Sequence, residues 1–582
     1  MIQKALFFVL LSLPGVVSAQ WSPSIIYLDT IGYTYRTGGD LDTVDRISGR
    51  YSSTLPGGGL EIPFGFPSME LFSAYRGMYR FQKIDYVPFA ARYSGLPHLG
   101  FSYVFGTQAT QIARLGYEQV FGKKVLLNFD MTNDRSNGFL RFGSHALNDL
   151  GLRMHKKGEV WSFNLCFDDR KHESLLNGGV LSNTDPNEFP LIFLGVNKRN
   201  ASSLSRITTV RYENYFDFVR DTVSSFGIMS AHSVNVNSRK YNETDTLSGI
   251  YPMVNFSDTE TNDRFQYSET DHGFGFFLGS AHRYFSIRLH GKYWKYYHAG
   301  TDTDTLETAL RSDISLKWKV LSINGKGYFN ISGAGNEWSS DFILNGRLSR
   351  FHYRFAFKSE RLWPFQFQRN YLANNFAYSL DEYQQQGRTS MSAEMFTDVK
   401  GWKFNGKITV LQLKDNYFFD PQIGSWSNQI HPELFMSSFG LSVHWVGKRL
   451  SMQSQYTFTL ERGGLDVVPD HVLFLRGQIR GRLFKSKRLE VYTGAELLAN
   501  STANRLLFIP AIDTYVMNNS GSLLGGMINA HVFAGLQIDE FRFFVRFENL
   551  GTIWNDNGLF AVVGYPIPAG QLRIGLTWDF FN

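Results

Sequence analysis

Asp168-Asp169-Arg170-Lys171-His172 is the one cluster in the chain that invites an enzymatic reading. Paired carboxylates beside a His can activate water, and a Ser-His pair can transfer an acyl group. Here all the charges are consecutive and follow an alternating segment, 159–167, as they would in a solvated loop mouth. No enzyme is expected. The glycines Gly57-Gly58-Gly59 lack the flanking Lys and helix of a phosphate loop. The 14 His residues lack metal-ligand spacing, and no Asp-x-Asn-x-Asp-Gly calcium loop occurs. Cys166 is the single cysteine, which excludes an internal disulfide and any Cys-based metal site. No cofactor or metal is expected.

Charge recurs instead on one side of alternating segments. In 471–483, Leu473, Leu475, Ile479 and Leu483 oppose Arg476, Gln478, Arg480 and Arg482. In 541–548, Phe541, Phe543, Val545 and Phe547 oppose Arg542, Arg546 and Glu548. Successive side chains on a strand point to opposite faces, so each segment has an apolar side and a basic, polar side. The polar sides collect Arg288, Lys292, Lys317, Lys319, Arg354, Lys358, Lys403, Lys407, Arg476, Arg480, Arg482, Arg542, Arg546 and Arg573, answered from the same faces by Glu548 and Asp579. Lining a pore, such basic rings would favour anions. Snorkelling at strand ends and pairing with acidic loops would mute that preference.

The elements that must position these residues recur from about residue 98 to the C-terminus. They are strands of roughly ten residues separated by turns or polar loops, the pattern of a transmembrane barrel. Hydrophobic residues make up 43% of the chain and charged residues 19%, while mean hydropathy is slightly negative, so the two kinds are finely mixed. Beyond the N-terminus no apolar run approaches the ~18 residues of a helical span. Aromatic residues reach 16%, and a barrel uses them on its lipid face and in two interfacial girdles. A soluble sandwich or propeller would also alternate, but its exposed face need not be so consistently apolar. Gly447-Lys448-Arg449, Asp539-Glu540 and Ser349-Arg350 read as hairpin turns, whereas 222–224, 242–262, 299–306, 415–432 and 501–521 read as external loops. The expected fold is all-β: a transmembrane antiparallel β-barrel of about 18–22 strands over 98–582, with a short irregular N-terminal extension.

The two termini sharpen this expectation. Leu572, Ile574, Leu576, Trp578 and Phe580 form an unbroken apolar face at the C-terminus. Arg573-x-Gly575-x-x-Trp578-x-Phe580 resembles the terminal signal through which outer-membrane proteins engage the barrel assembly machinery. At the other end, Lys4, the apolar run Ala5 to Leu13, Pro14-Gly15 and Val17-Ser18-Ala19 read as a signal peptide over 1–19. A membrane anchor would need a longer apolar run. Residues 20–97 read as a periplasmic extension, a partial plug or the first strands. A net charge of +6 without clustering points to no nucleic acid.

Several short motifs resemble a putative porin family of outer-membrane β-barrels from Bacteroidetes-type bacteria. They are residues 99–117, Asn128-Phe129-Asp130 with Asn137-Gly138-Phe139, Asn177-Gly178-Gly179, and Trp363-Pro364 with Tyr371, Asn374, Asn375 and Phe376. Glu548-Asn549-Leu550 and Tyr565-Pro566 are common to several barrel families. The resemblance covers roughly 98–582 and implies a bacterial outer-membrane location. Its expected partners are outer-membrane lipid, the assembly machinery and small solutes. The expected function is passive diffusion of small hydrophilic solutes, favouring anions. The alternative is a secretion or surface-assembly component, or an adhesin, acting through its loops. An energised TonB-dependent transporter would need a larger plug than the 78 residues from Gln20 to Pro97 supply.

Overall fold

A computed structural model describes residues 97–581, except 123–124, 157, 182–189, 221–223, 245–250, 252, 281, 299–300, 334, 380–382, 421–422, 429–431, 465, 487, 505, 518–522, 525, 554–559 and 568–569. The signal peptide expected at 1–19, and the extension expected at 20–97 apart from Pro97, lie outside the described residues.

Twenty-two strands form one sheet. The first seven are β1 (His98–Gly106), β2 (Thr110–Phe121), β3 (Val125–Ser136), β4 (His145–Lys156), β5 (Trp161–Leu175), β6 (Ala201–Arg220) and β7 (Ser224–Glu243). Next come β8 (Thr261–Ser280), β9 (Arg283–His298), β10 (Thr301–Lys317), β11 (Leu321–Ser332), β12 (Trp338–Leu348), β13 (Phe351–Leu362), β14 (Gln386–Val399) and β15 (Trp402–Lys414). The last are β16 (Glu433–Val446), β17 (Leu450–Arg462), β18 (His471–Leu483), β19 (Leu489–Asn500), β20 (Met527–Ile538), β21 (Phe541–Glu548) and β22 (Gln571–Phe581). Each strand pairs antiparallel with its sequence neighbours, and β22 returns to β1 in the register Leu99↔Phe580 to Gly106↔Arg573. Closure matters because a strand edge in lipid would leave backbone N–H and C=O groups without partners. The sequence expectation of an all-β barrel is met at the upper end of its strand range.

The faces follow the alternation. On β15, Trp402, Phe404 and Ile408 are exposed outward, whereas on β21 the opposite residues Arg542, Phe544, Arg546 and Glu548 are buried inside. On β22, Leu572 and Trp578 face out and Arg573, Gly575 and Thr577 face in. Gly575 is a glycine for a reason: a Cβ there would lie 2.4 Å from the ring of Phe544, its cross-strand partner on β21.

The ends differ. Connections after even-numbered strands span two to five residues, and both ends of the described barrel chain emerge on that side. Connections after odd-numbered strands reach 26 residues, at 501–526. Short turns on one side and long loops on the other define periplasmic and extracellular ends.

Three sequence expectations need correction. Of the loop expected at 222–224, residues 222 and 223 lie outside the described residues, and Ser224 already belongs to β7. Thr301 to Leu306 belong to β10 rather than to a loop. Asp168 to His172 lie within β5, which runs to Leu175, not at a loop mouth. The last two share one cause. A transmembrane strand needs about 9–11 residues, whereas β6, β7 and β8 have 20 each. Their neighbours rise with them past the bilayer, where the outward face need not be apolar and the amphipathic signal disappears.

Candidate functional site: the lumen and its loop cap

Inward-facing side chains of β8, β9 and β10 form a ladder of opposite charges. Arg288 and Ser286 both reach Asp313, the latter at 3.2 Å. Asp271 accepts from Arg311 at 2.7 Å and lies 2.6 Å from His290 Nδ1. Lys292 is 3.1 Å from Glu307 and 3.7 Å from Glu269, and Trp294 Nε1 donates to Glu307 at 2.7 Å. Across the barrel, Arg546 binds Glu496 at 2.7 Å and Glu548 at 2.9 Å, and Arg573 binds Glu548 at 2.8 Å. A buried charge is tolerated only when paired and hydrogen-bonded, and these networks satisfy that condition along the wall.

The ladder lines a cavity of about 720 Å³. Charged side chains of the wall line it together with Tyr267, Trp294, Tyr328 and the loop segment Trp363 to Arg369. Polar walls replace part of a solute's hydration shell, which lowers the cost of entering a pore.

The extracellular loops do not simply hang in solvent. Leu176, Val180, Phe376, Tyr378, Phe418, Phe419, Trp426, Phe508, Tyr515, Val562 and Tyr565 pack into one buried apolar cluster, with Leu411, Leu413, Leu434 and Met436 of the upper strands beneath it. Hydrogen bonds lock the loops together. The Asn374 side chain donates to the carbonyls of Ser257 at 2.9 Å and Glu260 at 3.1 Å. It accepts from the N–H groups of Phe256 at 2.8 Å and Ser257 at 2.9 Å. Arg239 of β7 donates to the carbonyls of Ala511 at 2.7 Å and Pro510 at 2.9 Å. Val180 N–H donates to Gly564 O at 2.8 Å. Gly179 has φ of +80°, and a Cβ there would meet Gly564 O at 2.8 Å, so the close approach of two loops depends on it. Burial raises the phenols of Tyr251, Tyr378 and Tyr565 well above their ordinary range, so they serve the cap as neutral groups.

The structure places the residues singled out from sequence as follows. Arg288 and Lys292 line the cavity. Arg354 and Lys358 lie on the inward face of β13, Lys403 and Lys407 on that of β15, and Arg476, Arg480 and Arg482 on that of β18. Arg542, Arg546 and Arg573 are buried inside. Lys317 ends β10, and Lys319 lies beyond it in the exposed turn 318–320, so Lys319 belongs to the rim and not to a strand face. Arg573, Gly575, Trp578 and Phe580 all lie on β22, at the seam with β1.

Asp168 and Asp169 point to opposite faces. The first pairs with Arg153 at 2.9 Å, and the second with Arg206 at 2.9 Å and Thr208 at 2.6 Å. They do not converge on a common substrate position. Sequence reasoning missed Asp271, Asp313, Glu269, Glu307 and Glu496, the carboxylates that answer the inward bases. For Glu269 and Asp271 the signal was strand parity, hidden where the upper part of β8 lacks an apolar outer face. It missed the cap as well. The motifs Asn177-Gly178-Gly179, Asn374 and Phe376 fall at its interlocks, and the aromatic residues between the strands were its available signal.

Solved structures share the architecture at low identity. The copper transporter OprC is 10% identical, with a TM-score of 0.60 over 84% of this chain and 81% of that one. The FrpB iron transporter from Neisseria meningitidis (F5-1 variant) is 7% identical, with a TM-score of 0.57 over 84% and 83%. The siderophore receptor PirA from Acinetobacter baumannii is 10% identical, with a TM-score of 0.58 over 84% and 81%. At such identities the likeness is one of fold. No curated protein matches the chain. Residues 71–582 match the family described as "Putative porin". With its closed barrel, apolar outside and charged lumen, the chain belongs to that family of outer-membrane β-barrels.

Proposed function

We propose that the protein is a porin-like channel through which small hydrophilic solutes diffuse passively, with access restricted by its loop cap. The observation that carries this reading is the charged, polar cavity inside a closed barrel whose outer face is apolar. Export through a signal peptide at 1–19 belongs to the same reading, as does a periplasmic extension or partial plug at 20–97. Diffusion of solute through such a lumen needs no energy source. Purified full-length protein in planar bilayers should give stable, ohmic current steps. Complete silence over many insertions would defeat passive diffusion.

Selectivity for anions is a finer part of the proposal. Inward bases support it, and the carboxylates beside Arg288, Lys292, Arg476 and Arg546 weaken it. The expected preference is therefore small, further muted by a Debye length of about 8 Å in physiological salt. Reversal potentials across a salt gradient should favour anions slightly, and Arg476→Glu, Arg480→Glu and Arg482→Glu together should invert the sign. A cation-selective wild type would remove this part alone.

A second reading has its own support. Phe256 and Ile423 are each 66% exposed on the loop side, and Met253 and Phe193, at other loop positions, are exposed as well. Apolar groups presented on an extracellular surface suit a secretion, surface-assembly or adhesive role. Electrical silence combined with an intact barrel would favour it.

A further inference from the structure

The rim at the short-turn end carries a charge pattern that solute passage does not require. Five successive hairpins, β10/β11, β12/β13, β14/β15, β16/β17 and β18/β19, stand side by side on the barrel wall. Their turns are 318–320, 349–350, 400–401, 447–449 and 484–488. In these turns Lys319, Arg350, Lys400, Lys448 and Arg449 are exposed, as are Lys485 and Arg488, and no acidic residue occurs in any of the five.

Each turn pairs its bases with outward apolar groups a residue or two away. Trp318 precedes Lys319 and is 47% exposed, and Phe484 precedes Lys485 and is 74% exposed. Phe351 follows Arg350, Trp402 follows Lys400, and Leu450 follows Arg449, all of them exposed. The rings of Trp402 and Trp445 lie 5.8 Å apart on adjacent strands, forming part of an aromatic band just inside the rim. Such a band sits at headgroup depth. Connections of only two to five residues cannot carry the bases far beyond it. The bases are thus held against the membrane surface, within reach of lipid phosphates and short of a partner standing off in the periplasm.

We infer that this arc of the rim is a binding surface for anionic phospholipid headgroups of the leaflet at the short-turn end. Lys and Arg donate to phosphate oxygens, Arg in bidentate fashion, while the neighbouring aromatic and aliphatic side chains contact the acyl chains. Each base near an anionic surface strengthens attraction about fivefold, so several acting together give a measurable preference. The inference is independent of what passes through the lumen.

The test uses the full-length protein in phosphatidylcholine vesicles doped with spin-labelled phosphatidylglycerol or spin-labelled phosphatidylcholine. Electron spin resonance then reads the relative association of each lipid with the barrel. The wild type should hold phosphatidylglycerol several-fold more strongly at low salt. The preference should fall toward parity near 1 M salt, where the Debye length is about 3 Å. Joint substitution of Lys448→Gln, Arg449→Gln, Lys485→Gln and Arg488→Gln should lower the ratio clearly below that of the wild type, leaving the part that Lys319, Arg350 and Lys400 supply. Lys240→Gln with Arg264→Gln, exposed bases toward the loop end, should leave it unchanged. Heat-modifiable migration checks that each variant is a folded barrel, and the salt series on the wild type decides the matter should the fourfold variant misfold. Equal association of both lipids with the wild type would overturn the inference. So would an undiminished preference in the folded fourfold variant. Competition by free inorganic phosphate beyond that of chloride at equal ionic strength would reassign the surface to small anions and overturn it as well.

Discussion

The two ends of the barrel are built on opposite principles. Connections at the short-turn end contain 11 bases and four acids, and those at the loop end contain 14 acids and five bases. The turn end is local: each turn is fixed by the two strands it joins. The loop end is non-local, with Val180 bonded to Gly564, Asn255 to Asn374 and Arg239 to Ala511 across separations of more than a hundred residues. Position in the bilayer explains the contrast. Tight turns end where the membrane ends, so their chemistry is that of the interface. Loops that rise past the membrane must find partners for their backbone and aromatic groups, and they find them in one another.

The largest expected effect lies at the turn end of the seam. Deleting Trp578–Asn582 removes the pairs Leu99↔Phe580 and Phe101↔Trp578, and Phe541↔Trp578 on the other side. It exposes two strand edges in lipid. Cell fractionation should show loss of the heat-modifiable barrel from the outer membrane, and undiminished amounts would show that closure does not depend on this end.

Next comes the wall beneath the cap. Glu548→Ala leaves Arg546 and Arg573 buried without the carboxylate they share. Breaking a buried pair costs about 3–5 kcal/mol, to be read from urea unfolding in lipid. A loss below about 1 kcal/mol would mean that water reaches these groups and that the wall there resembles the exposed rim.

A more local effect separates the cap from the barrel. Asn374→Ala removes the side-chain bonds that tie the 244–260 loop to the 363–385 loop, at a cost of about 2–3 kcal/mol. Limited proteolysis should then cut these two loops faster while the strands stay protected. Protection that is lost everywhere at once would show that cap and barrel fold as a single unit.

How much of this was legible in the sequence follows from the same contrast. Ser349-Arg350, Gly447-Lys448-Arg449 and Asp539-Glu540 were readable as turns because a hairpin announces itself over a few residues. The lipid face of β22 was readable because lipid imposes a strict alternation. The cap was not. Tyr378 and Trp426 meet at 2.7 Å, and nothing within either segment names the other. Two acids of the ladder were hidden for a related reason. Glu269 and Asp271 sit at inward positions of β8, but Gln266, Ser268 and Thr270 on its outer side gave no apolar face to mark the parity.

The smallest effect belongs to the rim. Arg482 pairs with Glu490 at 3.2 Å while 64% exposed, and Arg482→Gln should change stability by no more than about 0.5 kcal/mol. A larger loss would break the distinction between a solvated rim and a desolvated wall.

The central claim is a hydrophilic lumen with restricted access, and single-channel recording tests it most directly. Wild-type protein and the Asn374→Ala, Arg239→Ala double variant would be inserted side by side into planar bilayers. The expected result is small ohmic steps from the wild type and clearly larger ones from the variant, at similar reversal potentials. Silence from both folded proteins over many insertions would contradict a passive channel.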